Sequence, residues 1–383
     1  MLSFFHTFAQ IFQNCPMTNE DLLSKTITWL RFPLAVAIVY VHNVNFDELA
    51  VALSGIDYSN LSGSDIYYIV CFLISDVLCR VATPCFCIFS GFLFYYRGKE
   101  WNRNIYLQKV KRKTRTLLTP YLLWNIIPVA ITAFFAFLKF DDSLSLYMKQ
   151  LWDNGILKIF WNYHEGTYPH YIPYPLNIPL WFLRDLIVVA FFLSPLVYYF
   201  VKYTKVYSLF ILGLFYLTNF WFPMLSIRTL FFFTLGAYFS IHGLNMVVEL
   251  RKSKLFWILA SIITLLLSMY FQGSGMYEYI FVLFNISGCI TTIIIAAGYI
   301  KGGNATIHPF LSKTSFFIFA SHTVYLLWFS NLALNFILKS DSALMMTTKY
   351  FLAPAICVCV CLALYYAAKK TVPWLLGILT GSR

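Results

Sequence analysis

Charge is scarce in this chain. Of 383 residues, 16 are acidic and 28 basic, so charged side chains make up 11% of the sequence, less than half the share of about a quarter usual in soluble domains. Together with 60% hydrophobic residues and a mean hydropathy of +0.70, that deficit excludes a water-soluble globular domain and puts the chain in a bilayer. A formal charge of +12 could suggest nucleic acid. The basic residues, however, lie between apolar runs of roughly twenty residues rather than on one face, which makes the excess a matter of topology and leaves no nucleic-acid partner.

Cysteine is equally sparse outside the apolar runs, where only Cys15 is found. Cys85 and Cys87, like Cys357, Cys359 and Cys361, are two residues apart. On a helix such neighbours point about 200° apart and cannot close on one ion, so they read as small buried hydrophobes and no metal is expected. His164 and His170, six apart beside Glu165, are set aside as a metal site. Residues 1–25 lack the basic n-region and the small-residue cleavage site of a secretory signal peptide. No internal repeat of the kind that marks many transporters is visible, and no appended soluble domain.

What the chain has in abundance is apolar stretches of 17 to 25 residues, the length that crosses a hydrocarbon core. Ten begin near Thr26, Ile66, Thr116, Pro179, Val206, Arg228, Leu255, Tyr277, Thr314 and Tyr350. The expectation is an all-α polytopic membrane protein with about ten spans: residues 1–25 as an N-terminal segment, 26–370 as the membrane domain and 371–383 as a short tail. Ten spans leave both termini on one side. Nineteen Lys and Arg residues fall on the side of the termini and five on the other, so the positive-inside rule makes both termini cytoplasmic. The first outer loop carries Asp47, Glu48, Asp57 and Asp65 and no cation.

Against this apolar background several ionisable residues fall inside spans, where each is costly and a functional assignment is the default. Arg31 and His42 share the first span, Asp76 and Arg80 the second, Arg184 and Asp185 the start of the fourth, and His322 the ninth. His42 is eleven positions after Arg31, about 16 Å and three turns, so the two share a face. Asp76 and Arg80 are four apart and can pair. The inner loop ends in KVKRKTRTLLTPYLLW, where Arg112 and Arg115 are spaced as a two-pronged phosphate clamp; a topogenic anchor on anionic lipid explains the same cations. Most aromatics of the outer loop, among them Trp152, Tyr163 and Tyr174, read as an interfacial belt.

These features resemble the acyltransferase-3 group of integral membrane acyltransferases, which modify cell-envelope glycans and related molecules. The likeness rests on Arg31 and His42 in the first span, RVATPCFCIFSGFLF in the second, the Arg112 and Arg115 pair leading into Pro120 and Tyr121, PLWFLRDLIVVAFFLSP in the fourth and SFFIFASHTVYL in the ninth. Cys85 and Cys87 stand where the group usually has bulky apolar residues, and the esterase-like domain that some members add is not in this sequence. The resemblance implies an enzyme of the bacterial inner membrane that transfers an acyl group, acetyl in the first instance, from acyl-CoA to a hydroxyl of a glycan or glycolipid.

On that reading Arg112 and Arg115, with Arg31, bind the phosphates of acyl-CoA, whose pantetheine arm is about as long as eleven helical residues. His42 then acts as general base or as a covalent relay, Arg80 stabilises the oxyanion, and His322 is a second proton handler or a polar helix contact. Trp181 and Arg184 are the candidates for acceptor binding. A non-catalytic glycolipid transporter or flippase, with the arginines lining a conduit for anionic headgroups, is the alternative.

Overall fold

The computed structural model describes residues 17–96, 101–164, 173–220, 225–340 and 342–382. Among them the architecture is α-helical. The main apolar segments are α1 (Asn19–Val41), α2 (Gly63–Tyr95), α3 (Arg103–Phe137), α4 (Ile178–Thr204), α5 (Val206–Leu217), α6 (Ile227–Ile241), α7 (Lys254–Tyr270), α8 (Tyr277–Lys301), α9 (Pro309–Ile337) and α10 (Ala343–Thr371). All ten lie where the sequence suggests spans. Seven are long and apolar enough to cross a membrane, and α6 forms a broken pair with Met246–Lys252, bent by 102°. Helix α5 has 12 residues, about 18 Å, well short of a hydrocarbon core of about 30 Å.

Helix α1 starts at Asn19, seven residues before the expected Thr26, because Thr18 caps it by accepting from the Asp21 amide at 3.1 Å. Arg31 is therefore near the middle of α1 rather than at its boundary. The chain after Thr371 is a further helix, Pro373–Thr380. It docks on α3, where the Trp124 indole donates to Leu379 O at 2.9 Å and Gly381, at φ +65°, passes against the Thr116 backbone.

Three helices are loosened by π-helical turns, at Phe72–Leu78 in α2, Thr114–Leu118 in α3 and Val189–Leu193 in α4. Each turn shortly precedes a proline: Pro84, Pro120 and Pro195 respectively. A proline has no N–H for the carbonyl four residues earlier, and the orphaned carbonyl needs another partner. For Pro195 that carbonyl is Phe191 O, which the Tyr106 hydroxyl bonds. A fourth π turn, His322–Leu326 in α9, has no such proline; the helix breaks at Val324 and at Tyr325, which has φ +62°.

The tightest packing joins α2 and α6. A Cβ on Gly91 would lie 1.9 Å from Phe233 O, and one on Gly236 would lie 1.9 Å from Ile88 O. The two backbones meet with no side chain between them, the way small residues let membrane helices approach. Gly91 is the glycine of the SGF triplet in α2. Around the bundle, apolar side chains such as Leu255, Phe256, Ile263 and Leu266 of α7 are exposed, as a lipid-facing surface requires.

Candidate active site

A cavity of about 1800 Å³ is lined by His42, Asp76, Arg80, Trp181, Arg228 and Glu278, with Asn45, Phe46 and Asp47 above His42 and with His164 and Tyr174 from the segment before α4. Its upper wall includes Ser54, Tyr58, Gln272 and Ser274, which belong to the connections between α1 and α2 and between α7 and α8. The cavity therefore lies toward the acidic loops and away from the basic segment of α3.

His42 lies deeper than the end of a span. Ser75, the thirteenth residue of α2, donates to Tyr40 O at 2.7 Å, so the C-terminus of α1 is level with the middle of α2, about 18 Å below its first residue. The chain is pinned just past His42. The Asn43 amide donates to Tyr350 O at 3.0 Å and accepts from Asn331 at 3.1 Å. That fixes the backbone of His42 against α9 and α10 and leaves its ring on the cavity wall.

Arg80 comes from a 3₁₀ turn, Cys79–Val81, that directly follows the π turn holding Asp76. The two are ion-paired at 2.5 Å, and Tyr277 donates to the other Asp76 oxygen at 2.9 Å. The guanidinium carbon of Arg80 lies 4.3 Å from the Phe46 ring centroid. Its Nε is buried without a hydrogen-bond partner, so this cation keeps a donor in reserve.

His322 has no exposed surface and does not line the cavity. Its ring centroid is 5.3 Å from that of His42, at 48° between planes. Its Nδ1 lies 3.0 Å from Ile318 O; a carbonyl only accepts, so Nδ1 carries the proton and Nε2 is left as a lone pair. That Nε2 is buried without a partner.

Arg184, 2% exposed, is outside the cavity lining. It bonds Asp185 Oδ1 through Nε (3.1 Å) and Nη2 (2.9 Å), and its Nη1 donates to Trp161 O (2.8 Å) and Pro173 O (2.6 Å). Asp185 Oδ2 accepts from the Ser226 amide at 2.9 Å and from the Thr229 hydroxyl at 3.2 Å. Arg184 and Asp185 form a strut. One end holds the segment that presents His164 and Tyr174, which exchange backbone hydrogen bonds, and the other holds the start of α6, where Arg228 stands. Trp181 lines the cavity, with the guanidinium of Arg228 4.8 Å from its ring centroid. Arg228 is absent from the expected site residues because, at the edge of a span, it reads as a flanking cation.

Arg31, Arg112 and Arg115 do not line the cavity. Arg31 is half-buried on α1, and Arg112 and Arg115 are exposed. The helical turns carrying them run beside the far end of α2, where the Lys109 ammonium donates to Phe94 O. Phe94 is eighteen residues past Asp76, about 27 Å along the helix. The structure thus brings together His42, Arg80, Trp181 and, behind them, His322, and it separates this group from the three arginines expected to hold the donor. His170 and Glu165 lie outside the described residues, and among those described no cluster of metal-ligating side chains occurs.

The family description "Acyltransferase domain" matches residues 25–366. The succinoglycan biosynthesis protein ExoH of Rhizobium meliloti (strain 1021) is 28% identical over 375 residues, covering 94% of this chain and 93% of that protein. No solved structure matches. With the match running from the first turns of α1 to the end of α10, the chain belongs to this family of acyltransferases and is an integral membrane enzyme that transfers acyl groups other than aminoacyl groups.

Proposed function

We propose that the enzyme transfers an acyl group, acetyl in the first instance, from acyl-CoA to a hydroxyl of an envelope polysaccharide or its lipid-linked precursor, in a bacterial inner membrane with both chain termini in the cytoplasm. The observation that carries this reading is His42, an imidazole on the wall of a large cavity that Arg80 also lines, with no acidic side chain among the described residues bonded to its ring. The polysaccharide acceptor is supported by the relative's part in succinoglycan biosynthesis and by the position of the cavity toward the acidic loops, the outer side on the positive-inside rule.

In the chemistry that follows, the acceptor hydroxyl attacks the thioester carbonyl while His42 removes its proton. Arg80 offers its unpartnered Nε–H to the tetrahedral oxyanion. Collapse breaks the carbon–sulfur bond, and the imidazolium returns the proton to the departing CoA thiolate, so the products are an ester and free CoA. His322 stands behind this exchange as a neutral acceptor, its Nε2 able to take an N–H from His42 and fix the tautomer in which the other nitrogen is basic.

Arg112 and Arg115, exposed at the cytoplasmic end on this topology, bind the CoA phosphates as a bidentate clamp, and Arg31 lies between them and His42. The distance favours an extended donor: Arg31 to His42 alone is about 16 Å of helix.

The experiment compares cells carrying the wild-type protein, His42→Ala or no protein, by mass spectrometry of their envelope polysaccharide. The expected result is an acyl substituent that appears only with the wild type. Acylation that persists with His42→Ala removes His42 from the mechanism, and polysaccharide that is identical in all three rejects the acceptor class.

A further inference from the structure

Among the described residues two arginines line the cavity, and they are not equivalent. Arg80 is neutralised by Asp76 at 2.5 Å. Arg228 makes no ion pair within 4 Å among the described residues; its guanidinium carbon lies over the Trp181 ring, 4.8 Å from the centroid. Its Nε is buried without an acceptor. The acids nearby are engaged. Asp185 is held by Arg184, Ser226 and Thr229, Asp76 is held by Arg80 and Tyr277, and Glu278, on the same wall, shares its charge between Arg80 and Arg228.

A guanidinium carries five N–H donors and no acceptor. Left without oxygen partners in a partly dehydrated cavity, it is costly unless a ligand supplies them. Its place over the indole occupies one face of the guanidinium and leaves N–H donors for a planar oxyanion, the geometry that arginine recognises and lysine does not. The strut from Asp185 to Ser226 and Thr229 fixes the helix start from which Arg228 projects. These are the properties of a built binding position, in the same cavity as His42 yet with no part in the proton transfer.

We propose that Arg228, set over the Trp181 ring, is a carboxylate-binding subsite. The carboxylate comes either from the far end of a dicarboxylic acyl chain or from an acidic sugar of the acceptor. The proposal rests on the cavity's being the acyl-transfer chamber and adds a selection rule to it: of two otherwise similar substrates, the one bearing the carboxylate is preferred through Arg228. Among the described residues Asp47, Asp76 and Glu278 line the cavity beside Arg80 and Arg228, so the preference is local and stereochemical rather than a general attraction for anions.

The test uses the full-length protein in lipid nanodiscs as wild type, Arg228→Gln and Arg228→Lys. Donors are succinyl-CoA and acetyl-CoA; acceptors are polysaccharide from cells lacking the protein, with its carboxylates intact or chemically reduced to alcohols. Arg228→Gln is expected to lower kcat/KM for the carboxylate-bearing member of one pair about tenfold to hundredfold relative to its counterpart. Arg228→Lys should restore only part of the preference, because an ammonium keeps the charge but not the fork.

Discrimination lost between donors assigns the carboxylate to the acyl chain, and discrimination lost between acceptors assigns it to the sugar. Equal effects of Arg228→Gln on both members of both pairs overturn the subsite. A His42→Ala control that retains transfer would instead reject the chamber reading, so the two failures are separable.

Discussion

Arg80, Arg184 and Arg228 are guanidinium groups in apolar surroundings, and their partners give them three different jobs. Arg80 is ion-paired with Asp76 and keeps one donor free, Arg228 faces a cavity on an indole, and Arg184 has its charge and donors taken up by Asp185 and two carbonyls. From sequence Arg80 and Arg184 register as costly intramembrane charges, whereas Arg228 reads as a cation flanking a span, and that much was legible. Their jobs were not, since the acceptors of Arg184 lie 23 and 11 residues away at Trp161 and Pro173, and His322 meets His42 across 280 positions. Sequence spacing found the Asp76–Arg80 pair because both partners are on one helix.

Arg184→Ala removes one member of a buried pair and leaves Asp185 uncompensated, at a cost of about 3–5 kcal/mol. Thermal unfolding in detergent should show a lowered midpoint. Arg184→Lys keeps the charge but cannot serve Asp185 and both carbonyls at once, so it should raise KM for the acceptor more than KM for the donor. An unchanged unfolding midpoint in Arg184→Ala would mean that the strut carries no weight.

At the scale of elements, the apolar runs announced the helices, and the structure shows three of them loosening ahead of motif prolines. Pro84, Pro120 and Pro195 each follow a π turn, and two of those turns bring Asp76 and Arg115 out of the regular helical pattern; π bulges recur at functional sites for this reason. The break in α9 after His322 has no proline to signal it. Nor did the sequence reveal that Gly91 and Gly236 are partners, since each alone reads as a tolerated helix glycine. Their reciprocal backbone approach leaves no room for a methyl group. Gly91→Ala should therefore destabilise the protein by the upper part of about 1–3 kcal/mol, measured as a shift in the unfolding midpoint, whereas an equally conservative change at lipid-facing Leu266 should not. Equal midpoints for the two variants would contradict the close contact of α2 and α6.

For the whole molecule, the arrangement is polarised. A cavity with His42 at depth lies toward the acidic loops, and a basic segment lies about 27 Å further along α2. Charge counting along the sequence captured this polarity, because the basic residues cluster between spans. It did not capture the depth of His42, which depends on α1 ending level with the middle of α2. Changing Arg112 and Arg115 together to Gln should raise KM for acyl-CoA by tenfold or more, at about 1.4 kcal/mol per decade, with KM for the acceptor little changed; steady-state kinetics with each substrate varied in turn checks this. Equal shifts in both constants would reject the clamp.

The most direct measurement follows release of free CoA from acetyl-CoA by the purified protein in nanodiscs, with acceptor polysaccharide present, for wild type and His42→Ala at matched folding. Loss of a general base should slow acceptor-dependent release by about 10² to 10⁴-fold, with the unfolding midpoint unaltered. Release by His42→Ala at the wild-type rate would contradict the assignment of acyl-transfer chemistry to His42.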